Sequence, residues 1–536
     1  MAKGYRRVDR DQVFLLPPDM REWLGAGHPV FVVIEALERL DTSGFHARRR
    51  TGGAGAAGYD PDMLLAVLVW AYAHRVTSSR RMEELCATDV AFRVICAGNL
   101  PDHCTIARFR QEFAGAVGGF FAQVLVLCAR LGMGRLGLVA VDGTKIAASA
   151  SKAANRTEKK LRELAEQAVA AHAAADAAED ELYGRGRRGD ELPPEEGEEG
   201  EAGWSPRRRR ERIAEALAQL EAERAAEQAE QEAKAAQFRA RQRAGRRTGP
   251  GPAGAAVALA QENLARVIAA REARLARLAG KHAGRPGRRL AGVADYCRVR
   301  EAAAKVERAR ERAARAQRNA AAKAGPGPVR NITDPDSRLM PTRNGFIQGY
   351  NAQNVTSQDG LVIATVLTGD TADMAWFAPM TRKAEQAAAL IREHRPAGSA
   401  PDGGGIGLVL ADAGYCSQAN LDCAGPDRLI AVGKRRDLEK AARGSGSPDP
   451  DWGGPAIRDM RARLRTPAGI AAYRQRGHIA ETPHGHIKHT MGFRQLTMRG
   501  KDKAAAEWTF ACAVHNLLKA LTTGHLTPAA LAGPGG

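Results

Sequence analysis

LGLVAVDGTKIAA (Leu136–Ala148) is the stretch on which the architecture turns. An apolar run leads into Asp142, the pattern of a buried strand that delivers a carboxylate at its end. GIGLVLADAGY (Gly405–Tyr415) repeats the pattern around Asp412. Three more strand candidates follow the same logic: Gly345–Thr356, Gly360–Gly369 and Arg428–Gly433. A helix is expected between them at Asp373–His394. These segments predict a mixed α/β domain, interrupted after its first strand by a long insert.

Working outward, residues 1–130 read as an all-α region. Pro61–Val76 is apolar on most faces and opens on Pro, so a buried helix is expected. A second helix is expected to start at Ser78 and Ser79 and to stop at Gly98, and a third to begin near Thr105. Short helices and tight turns, with Arg80, Arg81, Arg108 and Arg110 expected on the surface, suit either a helix-turn-helix-like module or an ordinary bundle with solvated arginines. The insert, residues 152–330, is rich in Ala, Arg, Glu and Gln. Two long helices are expected there, with breakers around Leu192–Trp204 and Thr248–Gly254. Residues 151–230 hold 14 basic and 20 acidic side chains, whereas residues 231–330 hold 24 and 7. The basic half either packs on the acidic half, rides on nucleic-acid phosphates, or does both; a solvated linker is the plain alternative. The predicted order is therefore 1–130 helical, 131–151 first part of the core, 152–330 insertion, 331–522 rest of the core, and 523–536 a flexible tail.

Charge narrows the partners. Lys plus Arg number 80 against 61 Asp plus Glu in 536 residues, a formal charge of +19 that attracts polyanions, nucleic acid first. No apolar run is long enough to span a membrane, and the N-terminal segment does not read as a signal peptide. Eight scattered cysteines without a CxxC pair argue against a disulfide framework or a zinc ribbon. A cytoplasmic, nucleoid-associated protein is expected.

Three carboxylates carry the chemistry. Asp142 and Asp412 end neighbouring strands, where open α/β sheets gather ligands. Glu481 lies in YRQRGHIAETPHGHIKH (Tyr473–His489), after Tyr473 and Arg476 and before Lys488. Hard oxygen donors suit Mg²⁺, and two such ions can activate a nucleophile and stabilise a leaving oxygen in phosphoryl transfer. A nearby Lys and Arg would bind phosphate. His484, His486 and His489 do not have zinc-ligand spacing, and DNA contact or solvent exposure is expected of them. Asp370 reads as a strand-to-helix cap, Asp334 and Asp336 as turn formers, and Cys416 as chemically idle.

VDGTK, ADAGY and the Tyr–Arg–Glu–Lys segment together resemble the DDE transposases of bacterial insertion sequences, in the group with a helical N-terminal domain. PDHCTIARFR (Pro101–Arg110) is similar to that group's N-terminal element. TDPDSRLM followed by GFIQGYNAQNVT resembles its approach to the second strand, and EWTFACAVHNLLKA, with Trp508 and Asn516, its closing helix. The resemblance implies an RNase H-like catalytic core, split by the insertion, with Asp142, Asp412 and Glu481 holding two Mg²⁺ ions, or Mn²⁺ in their place. It implies double-stranded DNA as partner, at element ends and target, and a homodimer or larger assembly. Tyr473, Arg476 and Lys488, together with His103, Thr105, Arg108 and Arg110, would contact DNA. Two features depart from the family pattern. The Arg476–Glu481 spacing is one residue longer than usual, and Thr482-Pro483-His484 stands where Pro usually follows the Glu directly. The second departure reads as a re-set helix start or as drift towards inactivity. A decayed, DNA-binding copy and a metal-dependent nuclease without strand transfer are the alternatives to a working transposase.

Overall fold

The computed structural model describes residues 22–47, 58–183, 206–245, 251–281, 291–323, 328–396, 398, 404–433 and 454–532. The chain forms two compact units, Met1–Ala154 with Thr333–Gly536, and Asn155–Ile332.

The first unit is mixed helix and sheet, with a helical N-terminal region. Pro61–Ala73 is a helix because Asp60 accepts from Asp62 N and Pro61 occupies the first turn; Leu64 to Tyr72 are buried without a break. The segment expected as one helix from Ser78 to Gly98 is two, Ser79–Thr88 and Val90–Ile95. Asp89 divides them, its side chain accepting from Phe92 N at 3.1 Å as the cap of the second. Likewise Asp102, not Thr105, caps His103–Glu112, accepting from Thr105 N and Oγ1 at 2.8 Å each. Val117–Arg130 completes the region.

Eight strands are described: β1 (Leu138–Ala147), β2 (Asn155–Thr157), β3 (Val329–Asn331), β4 (Arg338–Thr342), β5 (Gly345–Ser357), β6 (Val362–Thr368), β7 (Leu408–Ala411) and β8 (Asp427–Ile430). The main sheet runs β4-β5-β1-β7-β8, with β6 also pairing with β5. β1 pairs antiparallel with β5 and parallel with β7, and β8 is parallel to β7. Strands alternate faces. Val139 and Val141 therefore enter the core shared with helices Val117–Arg130, Phe377–His394 and Lys501–Thr522, whereas Ala140 and Leu410 enter a second core under Pro455–Arg465 and Pro467–Gly485.

Asp142 does not end its strand. β1 continues to Ala147, because β5 keeps pairing with it from Ser357 back to Gly349. What ends beside Asp142 is the parallel ladder, whose last pair is Val141 with Ala411. The expected flexible tail instead carries a short helix, Pro528–Leu531, and Leu526 and Leu531 are buried.

Among its described residues the second unit has four helices rather than the expected two, Glu158–Tyr183, Pro206–Arg243, Ala253–Lys281 and Cys297–Lys323; the breaker expected around Leu192–Trp204 lies outside the described residues. The Ala/Arg/Glu composition that signalled helix carried too little punctuation to count them. β2 and β3 pair antiparallel, so Asn155 lies opposite Asn331 and the segment enters and leaves at one place. Leu161, Ile213, Ala216, Leu220 and Ile332 form its small core.

Candidate functional site

Period-two alternation explains how the carboxylates meet. Asp142 follows Ala140 on β1, and Asp412 follows Leu410 at the end of β7, so both share the face covered by Pro467–Gly485. That helix carries Tyr473, Arg476, Glu481 and His484. It starts at Thr466, whose side chain accepts from Gly469 N at 3.0 Å, with Pro467 in the first turn. It runs unbroken through Pro483, so Thr482-Pro483 does not re-set a helix start. One π-turn, His486–Thr490, follows directly.

Asp142 is the electrostatic centre. Burial, opposed by Arg476 and reinforced by the Asp412 and Glu481 charges, pushes its carboxyl up to about 6. Arg476 Nη1 stands 3.6 Å from Asp142 Oδ1, too far for a hydrogen bond, and is buried with no hydrogen-bond partner among the described residues. Asp412 Oδ1 accepts from Gly414 N at 2.9 Å, holding the turn after β7. Tyr473 hydroxyl donates to Ala411 O at 3.3 Å, tying the helix to the end of β7. Glu481 is exposed. Lys488 Nζ donates to Thr144 Oγ1 at 2.5 Å and Lys145 O at 2.6 Å, and burial lowers its ammonium to about 8.

Several residues at the site were not foreseen. His484, expected exposed or on DNA, is buried with Nδ1 3.8 Å from Asp142 Oδ2, and burial lowers it to about 3. Asp373, rather than Asp370, is the carboxylate beside the centre. It accepts from Gln353 at 2.6 Å and Asn351 at 2.7 Å and pairs with Lys145 at 3.4 Å. Asp370 instead accepts from Trp376 Nε1 at 2.8 Å. Gly143 makes the crowding possible, since a Cβ there would lie 2.4 Å from Gln353 Nε2 and 2.7 Å from Asp373 Oδ1. Asp334, expected as a turn former, is fully buried and accepts from the Tyr350 hydroxyl at 2.8 Å. The LTGDTAD segment contained both Asp370 and Asp373, and nothing local distinguishes them.

Of the N-terminal residues expected on DNA, Arg108 is exposed and His103 is half-buried beside Glu83, at 2.8 Å. Thr105 is held by Asp102. Arg110 is not a surface residue. It is buried against Glu507 at 2.8 Å and donates to Tyr72, Thr497 and Thr77 O.

The donor set at Asp142, Asp412 and Glu481 is all oxygen, which fits a hard divalent cation. Among the described residues, three ligand atoms within 4.8 Å of one another occur at the exposed His46, Asp60 and Asp62, so the triad stands wider than that. Arg476 Nη1, ion-paired with Asp142 but without a hydrogen bond among the described residues, keeps a donor at the site.

Residues 19–112 match the family described as Transposase domain (DUF772), which supports a transposase. Residues 453–521, which include Tyr473, Arg476, Glu481 and Lys488, match Transposase DDE domain. The two matches together support an insertion-sequence transposase of the DDE type. Asp142 and Asp412 lie outside both matched segments. No curated protein and no solved structure matches the chain. Among the described residues, no single helix is long and apolar enough to cross a membrane.

Proposed function

We propose that the protein is a DNA transposase that cleaves element ends and joins them to a target through an Asp142–Asp412–Glu481 site on an RNase H-like core. The observation that carries this reading is that Asp142 and Asp412 share the face covered by the helix that carries Glu481, with Arg476 Nη1 3.6 Å from Asp142 Oδ1. Asp142, Asp412 and Glu481 would hold Mg²⁺ or Mn²⁺, which supplies Lewis-acid stabilisation of the attacking and leaving oxygens. Arg476 then binds a non-bridging phosphate oxygen, a role its buried Nη1 favours. Tyr473 anchors the helix to the end of β7, and Lys488 fixes the Thr144–Lys145 segment next to Asp142. The helical N-terminal region, with Arg108 on its surface, would recognise terminal repeats, and joining two ends calls for at least a homodimer.

The test is cleavage and strand transfer on labelled element-end DNA with Mg²⁺, comparing wild type with Glu481→Ala. Nicked and joined products that vanish in the variant support the reading. Nicked products without joined ones would leave a nuclease, and binding without cleavage under any divalent ion would leave a DNA-binding protein only.

A further inference from the structure

Within the insertion, helices Pro206–Arg243, Ala253–Lys281 and Cys297–Lys323 enclose a cleft of about 830 Å³. Its walls are of two kinds. Phe238 and Leu259 give an apolar floor, and the Phe238 ring lies so close to Gly251 that a Cβ there would sit 2.3 Å from it. The rim is cationic: Arg243, Arg266, Lys305, Arg308 and Arg312, against the single carboxylate Glu262. Glu262 is already paired with Arg243 at 3.1 Å, and Arg266 donates to Asn263 at 2.8 Å. Lys305, Arg308 and Arg312 are exposed and make no ion pair among the described residues.

Three cations that make no ion pair among the described residues share one helix stripe and repel one another unless an anion joins them. Their spacing says what kind. From Lys305 to Arg312 the helix rises about 10 Å at 1.5 Å per residue, longer than a single phosphate group, so the stripe faces more than one phosphate of a strand. A compact anion would meet one or two of these side chains, whereas a run of phosphates meets all three. By contrast, Arg310, on another face of the same helix, is paired with Glu307 at 2.8 Å.

We propose that this cleft seats the phosphodiester backbone of duplex DNA. The proposal rests on the DNA reading above and gives it a second, sequence-independent contact outside the carboxylate site. It would hold the duplex by charge alone, setting its position without reading bases.

The experiment uses the full chain. Binding of a labelled duplex oligonucleotide of arbitrary sequence, and of its single strand, is titrated between about 50 and 200 mM salt. The variant Lys305→Ala/Arg308→Ala/Arg312→Ala is compared with the equal-charge control Arg300→Ala/Arg310→Ala/Arg318→Ala; circular dichroism confirms that both keep their helices. For three lost phosphate contacts, the log–log salt slope should fall by about 2.7 and low-salt affinity by about tenfold or more, with the control slope changing by less than about 1. Equal losses in both variants would overturn the proposal, because diffuse charge would then explain the binding. A loss confined to the single strand would overturn the duplex assignment. A wild-type chain that binds but does not cut DNA would count against the transposase reading and leave this result standing.

Discussion

Arg110 separates a structural role from a DNA-binding one, and its removal has a definite expected cost. Glu507 has no exposed surface; it accepts from Thr497 N at 2.9 Å, Met498 N at 3.0 Å, the Tyr72 hydroxyl at 2.9 Å and Arg110 at 2.8 Å. Arg110→Met leaves the first three donors and the Thr497 hydroxyl, which also donates to Glu507, but strips the guanidinium from a buried carboxylate, which costs about 3–5 kcal/mol. Glu507→Gln can still accept from the two backbone N–H groups, yet it then turns its own amide donors toward Arg110, and about 3 kcal/mol is expected. In the double variant neither charge remains. Its cost should fall short of the sum by about 2 kcal/mol, the coupling expected of groups in direct contact. Replacing Glu507 by Leu would forfeit this recovery, because two buried N–H groups would lose their acceptor at about 1–3 kcal/mol each. The assay is urea unfolding followed by near- and far-ultraviolet circular dichroism, with m values compared to confirm that the same transition is read in each variant. An Arg110→Met protein within about 1 kcal/mol of wild type, but with weakened binding to element ends, would refute the buried-pair argument.

Other outcomes follow from the same geometry. Asp412→Asn should lower DNA cleavage by about a thousandfold or more, some 4 kcal/mol of barrier, while DNA affinity in a gel-shift assay stays within about twofold. Gly143→Ala forces a methyl group into Gln353 and Asp373, so unfolding measurements should register a loss of about 1–3 kcal/mol, with cleavage falling alongside. Asn516 accepts from Val362 N at 2.9 Å and donates to Val362 O at 2.8 Å; Asn516→Leu orphans both groups, at about 1–3 kcal/mol each in the same denaturation assay.

The sequence made the strands and their carboxylates legible because apolar runs ending on Asp are a local signal. Asp142 and Asp412 could be set on one face as soon as β1 and β7 were known to pair. The length of β1 was not legible, since DGTKIA is polar in its first half and stays extended because β5 lies beside it. Arg110 looked like a surface cation because its partner Glu507 lies 397 residues away, and no local pattern announces that pairing. His484 misled for the same reason: its burial comes from a sheet contributed by distant segments. Trp508 and Asn516 were noticed by resemblance; their work is to fasten the closing helix to β5 and β6, through Asn354 and Val362.

The β2–β3 ribbon has a consequence for heredity and engineering. Asn155 and Asn331 face each other across an antiparallel ladder, about 5 Å apart, so the chain enters and leaves the intervening stretch at neighbouring positions. Closing so short a gap needs only a turn of a few residues, and the entropy of closure depends only weakly on what is removed. A gene deleted in frame between Ala154 and Thr333 and mended with such a turn should still encode the main sheet. Such a deletion removes no strand of the main sheet.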